Sequence, residues 1–168
     1  MAIKTGKITP CLWFDTEAED AAKLYVSVFE NSRIGRISRY GKEGFEIHGK
    51  KEGTVMAVEF ELEGQSFAAL NGGPQFEFDE AISFQIHCGS QDEVDYFWTK
   101  LTAGGGSEGP CGWLKDRFGL SWQVVPDVLL EMLLDEDSAK VGRVTAAFLQ
   151  MKKFDIAALT RAFEGRAA

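Results

Sequence analysis

The chain has 168 residues, 45% of them hydrophobic and 12% aromatic, with a formal net charge of −8. A chain of this size buries roughly 70% of its unfolded surface, which is enough for a core of its own. The acidic balance excludes a nucleic-acid backbone as partner, because that binding runs on Lys and Arg neutralising phosphates. No run approaches the ~20 apolar residues of a membrane span.

Cys11, Cys88 and Cys111 are odd in number, far apart and without a C-x-x-C pair, the usage of free thiols in a reducing compartment. The first eight residues carry no apolar leader core. The expected setting is the cytoplasm, with no membrane partner.

In chain order, Ile8 to Phe14 reads as a strand, and a helix follows from about Asp15 to Glu30. Ala21, Leu24, Tyr25 and Val28 fall at helical spacing, and Thr16 with Glu19 has the spacing of a capping box. Arg33 to Tyr40 is a second strand. Gly41 to Gly53, rich in glycine and charge, reads as a mobile loop. Thr54 to Leu62 alternates strictly, and Glu63-Gly64 turns it into a strand ending near Leu70. The acidic, Phe-rich stretch from Asn71 to Glu80 links two halves.

The second half opens with a strand from Ile82 to Cys88 and a helix from Ser90 to about Ala103, ended by Gly104, Gly105 and Gly106. Trp113 and Leu114 belong to a strand that turns through Asp116 to Gly119 into a last strand. Helical segments follow at Val128 to Leu134, Asp137 to Met151 and Asp155 to Phe163.

Two internal echoes tie the halves together. The run from Gly64 to Leu70 returns as Gly119 to Val125, with glycine, serine and aromatic in the same places. The run from Trp13 to Glu19 returns as His87 to Glu93, each a strand end followed by a helix start. One duplicated unit of strand, helix and further strands accounts for both. The expected class is α+β: a single domain over 1–168, with one module about 8–71, a second about 82–126, and a C-terminal helical extension about 127–164.

Side chains alternate across a strand, and a helix needs an apolar sheet face to cover. Ile8, Pro10, Leu12 and Phe14, Met56, Val58, Phe60 and Leu62, and Ile82, Phe84, Ile86 and Cys88 therefore face the helices. The opposite faces collect Thr9, Cys11, Trp13, Glu59, Ser83, Gln85, His87, Ser121 and Gln123. Such a neutral polar set suits the lining of a ligand cup, whereas a solvated face carries more Lys and Glu.

Ile8 to Asp15, Leu70 to Pro74, Gly112 to Pro126 and Leu149 to Ile156 resemble the PhnB-like family. That family sits in the vicinal oxygen chelate superfamily with glyoxalase I, bleomycin-resistance proteins and extradiol dioxygenases. The resemblance implies paired βαβββ modules and a homodimer. It also implies a divalent metal held by His, Glu or Gln from the first and last strands of each module. Carried over by the repeat, those positions are about Thr9, Ala68, Ser83 and Gln123, of which only Gln123 has a ligating side chain of the expected kind. No metal and no cofactor is expected on that count.

The family is often labelled a 3-demethylubiquinone-9 3-methyltransferase. The glycine clusters here follow a strand end and a helix end, whereas a nucleotide loop sits between a strand and a helix N-terminus. The expectation is a small organic molecule bound in a cup between the two modules, through Thr9, Cys11, Trp13, Ser83, Gln85, Ser121 and Gln123. If chemistry follows, Glu59 or His87 transfers the proton, oriented by Gln85 and Gln123. The alternatives are a metal-dependent lyase, isomerase or dioxygenase with redistributed ligands, and an interaction module that docks through its C-terminal helices.

Overall fold

The computed structural model describes Ile3 and residues 6–166. Half of the eight-residue N-terminal segment, where no apolar leader core was expected, lies outside the described residues. The chain divides into two compact units, Met1–Phe78 and Asp79–Ala168.

The first unit runs β1 (Cys11–Phe14), α1 (Ala18–Val28), β2 (Arg33–Arg39), α2 (Phe45–His48), β3 (Val55–Leu62) and β4 (Gln65–Asn71). Its sheet has the order β1-β4-β3-β2, with β1 parallel to β4 and the other pairs antiparallel. The β3–β4 hairpin closes through Glu63 and Gly64 at φ 46° and 81°, the positive pair that a two-residue turn of the right twist demands. Small residues at Ala18, Ala21 and Ala22 bring α1 close to one sheet face. There Tyr25 meets Phe60 at 6.0 Å between ring centres, and Phe60 stacks on Phe67 at 5.1 Å.

The second unit repeats that plan with β5 (Phe84–Cys88), α3 (Gln91–Thr102), β6 (Ser107–Glu108), β7 (Trp113–Lys115) and β8 (Ser121–Pro126). The order is β5-β8-β7-β6, and β5 is again parallel to the last strand. Even the register repeats, since Cys11 lies opposite Ala68 and Gln85 opposite Gln123. At the start of α3 the Ser90 hydroxyl accepts the Glu93 N–H, and the Glu93 carboxylate accepts the Gly89 N–H at 2.6 Å. This is the reciprocal cap that the spacing predicts, returned one residue earlier.

Three helices complete this unit: α4 (Asp127–Leu133), α5 (Ser138–Phe148) and α6 (Ile156–Glu164). Leu129, Met132, Val144, Phe154 and Leu159 give them a buried cluster. The segment before α6 is stitched to the sheet by Cys111 and Gly112 N–H donating to Met151 and Lys152 carbonyls, both at 2.7 Å. The Gln91 amide donates to the Phe154 carbonyl and accepts from the Ile156 N–H. Lys153 reaches Asp95 at 2.5 Å, and that ammonium holds the Asp95 carboxyl below its usual range. Among the described residues, no helix is long and apolar enough to cross a membrane.

Several sequence expectations are corrected. The first strand begins at Cys11, so Ile8 is 89% exposed and faces no helix. Pro10 has no N–H to extend the ladder, and only its carbonyl joins, accepting from Ala68. The fifth strand begins at Phe84, which leaves Ile82 70% exposed.

Thr16 does not cap α1. The first helical N–H, that of Ala18, is taken instead by the Asn71 side chain from β4 at 2.8 Å, while Glu17 bonds the Thr16 N–H. Within residues 41–53, read from the sequence as a loop, the structure adds one helical turn. Gly44 and Gly49, both left-handed, bracket the single turn of α2; the Tyr40 and His48 rings lie 4.6 Å apart. The short β6 has no pattern of its own and exists only as a partner of β7.

Gly112 carries the attachment of the C-terminal helices: its φ is 78°, and a Cβ there would collide with the Phe154 ring. Gly112→Ala should therefore cost about 2–4 kcal/mol, from the left-handed backbone and overpacking together. Denaturant unfolding checks this, and a loss under about 0.5 kcal/mol would contradict it.

Candidate functional site

Strand register sorts the side chains as alternation predicts. In the first unit Cys11, Trp13, Ala57, Glu59, Glu61, Ala68 and Leu70 share the face away from α1. In the second unit Gln85, His87, Trp113, Lys115, Ser121, Gln123 and Val125 share the face away from α3. The two faces have the same geometry and different chemistry.

On the first face the polar groups are already committed. Glu59 takes the Arg36 guanidinium through both oxygens, at 2.5 and 3.0 Å, and Glu61 takes Arg33 at 3.4 Å. The Arg36 hydrogen bonds hold the Glu59 carboxyl below the usual carboxylate range, which makes it a weaker proton acceptor than a free glutamate. The side chain of Ile3, 4% exposed, packs over Gly35 beside Glu59. Trp13 donates its indole N–H to the Gly73 carbonyl at 2.8 Å and meets Phe76 edge-on at 5.0 Å. A Cβ at Gly72 would strike that indole, so glycine is what lets the ring lie there. The Cys11 thiol is exposed, and Thr9 is half-buried ahead of β1.

On the second face Ser83, Gln85, Ser121 and Gln123 are neutral, while Lys115 brings a cation and His87 an imidazole. The Gln123 amide donates to the Ser83 hydroxyl at 2.8 Å and accepts from the Gln85 amide at 3.3 Å, so three predicted residues meet. Ser121 follows on the same face, fully buried, and its hydroxyl has no hydrogen-bond partner among the described residues. It lines a concavity of about 440 Å³ together with Pro110, Trp113, Lys115 and Glu80. Such a buried, unsatisfied hydroxyl costs about 1–3 kcal/mol unless something answers it. His87 stands on this face too, its Nδ1 3.3 Å from an Asp127 carboxylate oxygen.

Glu59 and His87 belong to different units. Trp113, Lys115, Glu80 and Asp127 were missed by the sequence reading. Alternation about the buried Leu114 is a signal that could have found Trp113 and Lys115. Glu80 and Asp127 reach the face through tertiary structure and leave no local pattern. Cys88 is buried, and that burial pushes its thiol up to about 12, away from the thiolate form that reacts.

The positions that the superfamily resemblance assigns to a metal do not fit one. Ala68 offers no donor, Thr9 and Ser83 offer neutral hydroxyls, and Gln123 is a single neutral amide already bonded to Ser83 and Gln85. Hard divalent ions want several oxygen ligands with negative charge among them. Among the described residues, no three His, Cys, Asp or Glu side chains gather where an ion could sit.

Two four-stranded βαβββ sheets with helices on one face define the vicinal oxygen chelate fold, the architecture of glyoxalase and bleomycin-resistance proteins. The chain belongs to the family described as 3-demethylubiquinone-9 3-methyltransferase, which matches residues 6–125. A putative 3-demethylubiquinone-9 3-methyltransferase, PhnB protein, from Bacillus cereus is 34% identical, over 72% of this chain and 99% of its own, at a TM-score of 0.62. A protein from Pseudomonas aeruginosa is 17% identical over 73% of this chain and 98% of its own, with a TM-score of 0.56. FosX, a fosfomycin resistance protein from Listeria monocytogenes, is 13% identical over 76% and 98%, with a TM-score of 0.48. No curated protein matches.

Neither glycine cluster has the setting of a nucleotide loop. Gly72 and Gly73 follow β4 and lead into a segment without a helix, and Gly104 to Gly106 run from α3 into β6. Neither cluster therefore places backbone N–H groups at a helix start, as a nucleotide loop does. The C-terminal helices α4 to α6 lie beyond the matched residues.

Ser121→Ala is the direct check on the second face. Removing an unanswered buried hydroxyl should leave the ligand-free protein as stable or raise it by about 1 kcal/mol, read by chemical denaturation. A loss above about 1 kcal/mol would mean that the hydroxyl already has a partner.

Proposed function

We propose that the protein binds a small organic molecule on the open face of its second sheet, without a tightly held metal. The observation that carries this reading is the buried Ser121 hydroxyl, unpartnered and lining a concavity of about 440 Å³. Beside it, Ser83, Gln85 and Gln123 form a short row of neutral donors and acceptors, and Trp113 adds an aromatic surface. Few convergent polar groups on a largely apolar wall are what fix a ligand's orientation. Thr9, Cys11 and Trp13 hold the equivalent places on the first sheet. Their part is smaller, because Trp13 is already pinned and the nearby glutamates are paired with arginines.

His87 supports a second reading in which the bound molecule gives up a proton. In the tautomer that carries its proton on Nδ1, which faces an Asp127 carboxylate oxygen at 3.3 Å, the lone pair at Nε2 is left to act as general base. Glu59, the other candidate, is held by Arg36 and serves this role less well. A homodimer in the cytoplasm completes the proposal; the first rests on family resemblance, and the three free thiols support the second.

A thermal-shift screen of small polar aromatic and polyol compounds tests the binding reading, because a ligand that prefers the native state raises the midpoint by mass action. Gln123→Ala should weaken any hit about tenfold, the worth of one lost amide contact with its partner left unpaired. His87→Ala should spare affinity and abolish turnover where turnover is found. A library without a hit, or hits indifferent to Gln123→Ala, would overturn the proposal.

A further inference from the structure

We infer that the ligand of the second sheet is a small aromatic acid, its carboxylate taken by Lys115 in place of Glu80 and its ring laid against Trp113 and Pro110. This rests on the reading that the same face binds a small molecule.

Lys115 is the one cation among the described residues that line the concavity. Its ammonium is already answered by a carboxylate, that of Glu80 at 2.7 Å, and the pairing holds the Glu80 carboxyl below its usual range. Glu80 is 64% exposed and stands in the segment before β5. An exposed carboxylate of this kind returns to water at little cost, since surface ion pairs are weak. It behaves as a resident stand-in for an anion from outside.

The other carboxylate on the wall does not compete for Lys115. Glu108 accepts the Trp98 indole N–H at 2.9 Å and lies 3.8 Å from Lys152.

An incoming carboxylate has something to gain that Glu80 does not supply. Ser121 lies directly across from Lys115 in the β7–β8 register, with a hydroxyl that Glu80 leaves unanswered. A ligand that accepts from both replaces one ion pair by an ion pair and a charge-assisted hydrogen bond. Two residues along the strand from Lys115, about 7 Å away and on the same face, Trp113 lines the wall with Pro110. A short acid with one ring spans that distance once the flexible lysine stem is counted. Beyond Trp113 its register partner Gln123 begins the neutral amide row.

The test uses the full chain and matched probes: benzoate, phenylacetate and 2-naphthoate, each against its own carboxamide, by isothermal titration calorimetry. At least one acid should bind about tenfold tighter than its amide, the scale of a lost charge-assisted hydrogen bond. Lys115→Met should erase that preference by weakening the acid and leaving the amide unchanged. Glu80→Gln, an exposed change that spares the fold, should tighten the acid about threefold by removing the competitor. Amides that bind as well as acids, or a preference that survives Lys115→Met, would overturn the inference while leaving the face as a binding site. If neither member of any pair binds, both the inference and the site reading fall.

Discussion

In each module the first strand lies parallel beside the last, and that pairing decides which side chains any ligand could meet. The ladder from Cys11–Ala68 to Phe14–Asn71 recurs as Phe84–Trp122 to Cys88–Pro126. Once a helix covers one face, every second residue is committed to the core, and the rest have nowhere to point but away from it. Tyr25 on Phe60, and Val94, Trp98 and Leu101 in the second unit, make that commitment irreversible by burial. A slip of one residue would expose Val124 and bury Gln123, a change that neither face could absorb.

The same frame carries two different surfaces. Module one has closed its polar face with its own counter-ions, Arg33 and Arg36 against Glu61 and Glu59, and with Ile3 over Gly35. Module two has amides and hydroxyls that bond to one another sparingly and leave one buried hydroxyl over. Ion pairs at a surface contribute little stability, so the first arrangement reads as a face that has ceased to offer charge to a ligand. A buried polar atom without a partner is rare enough in native structure to demand a reason, and the proposed ligand supplies one. The asymmetry therefore follows from side-chain replacement at positions that the duplication made equivalent, such as Ala68 against Gln123.

How much of this was legible in the chain depended on whether the deciding contact was local. The repeat was readable because Ser66 and Ser121, and Phe67 and Trp122, obey one periodic constraint in both halves. The sets facing away from the helices were readable for the same reason. Strand starts were not, because Pro10 ends a ladder through a donor that it lacks. The cap of α1 was hidden because its acceptor, Asn71, comes from 53 residues away, while the local Thr16 and Glu19 mimic the right spacing. Likewise Asp127 beside His87 and Glu80 beside Lys115 are tertiary pairs. The attachment of α4 to α6 turns on Gly112, whose importance lies in the Phe154 ring brought against it.

The central claim is that the second sheet's open face is the ligand surface and the first sheet's is not. The most direct measurement is ¹⁵N chemical-shift mapping of the full chain against a fragment mixture. The account predicts that the largest changes fall on residues 83–87 and 113–123, with residues 57–61 and their arginine partners 33 and 36 unmoved. Changes centred on Glu59, Glu61, Arg33 and Arg36, with the row from Ser83 to Gln123 silent, would contradict it.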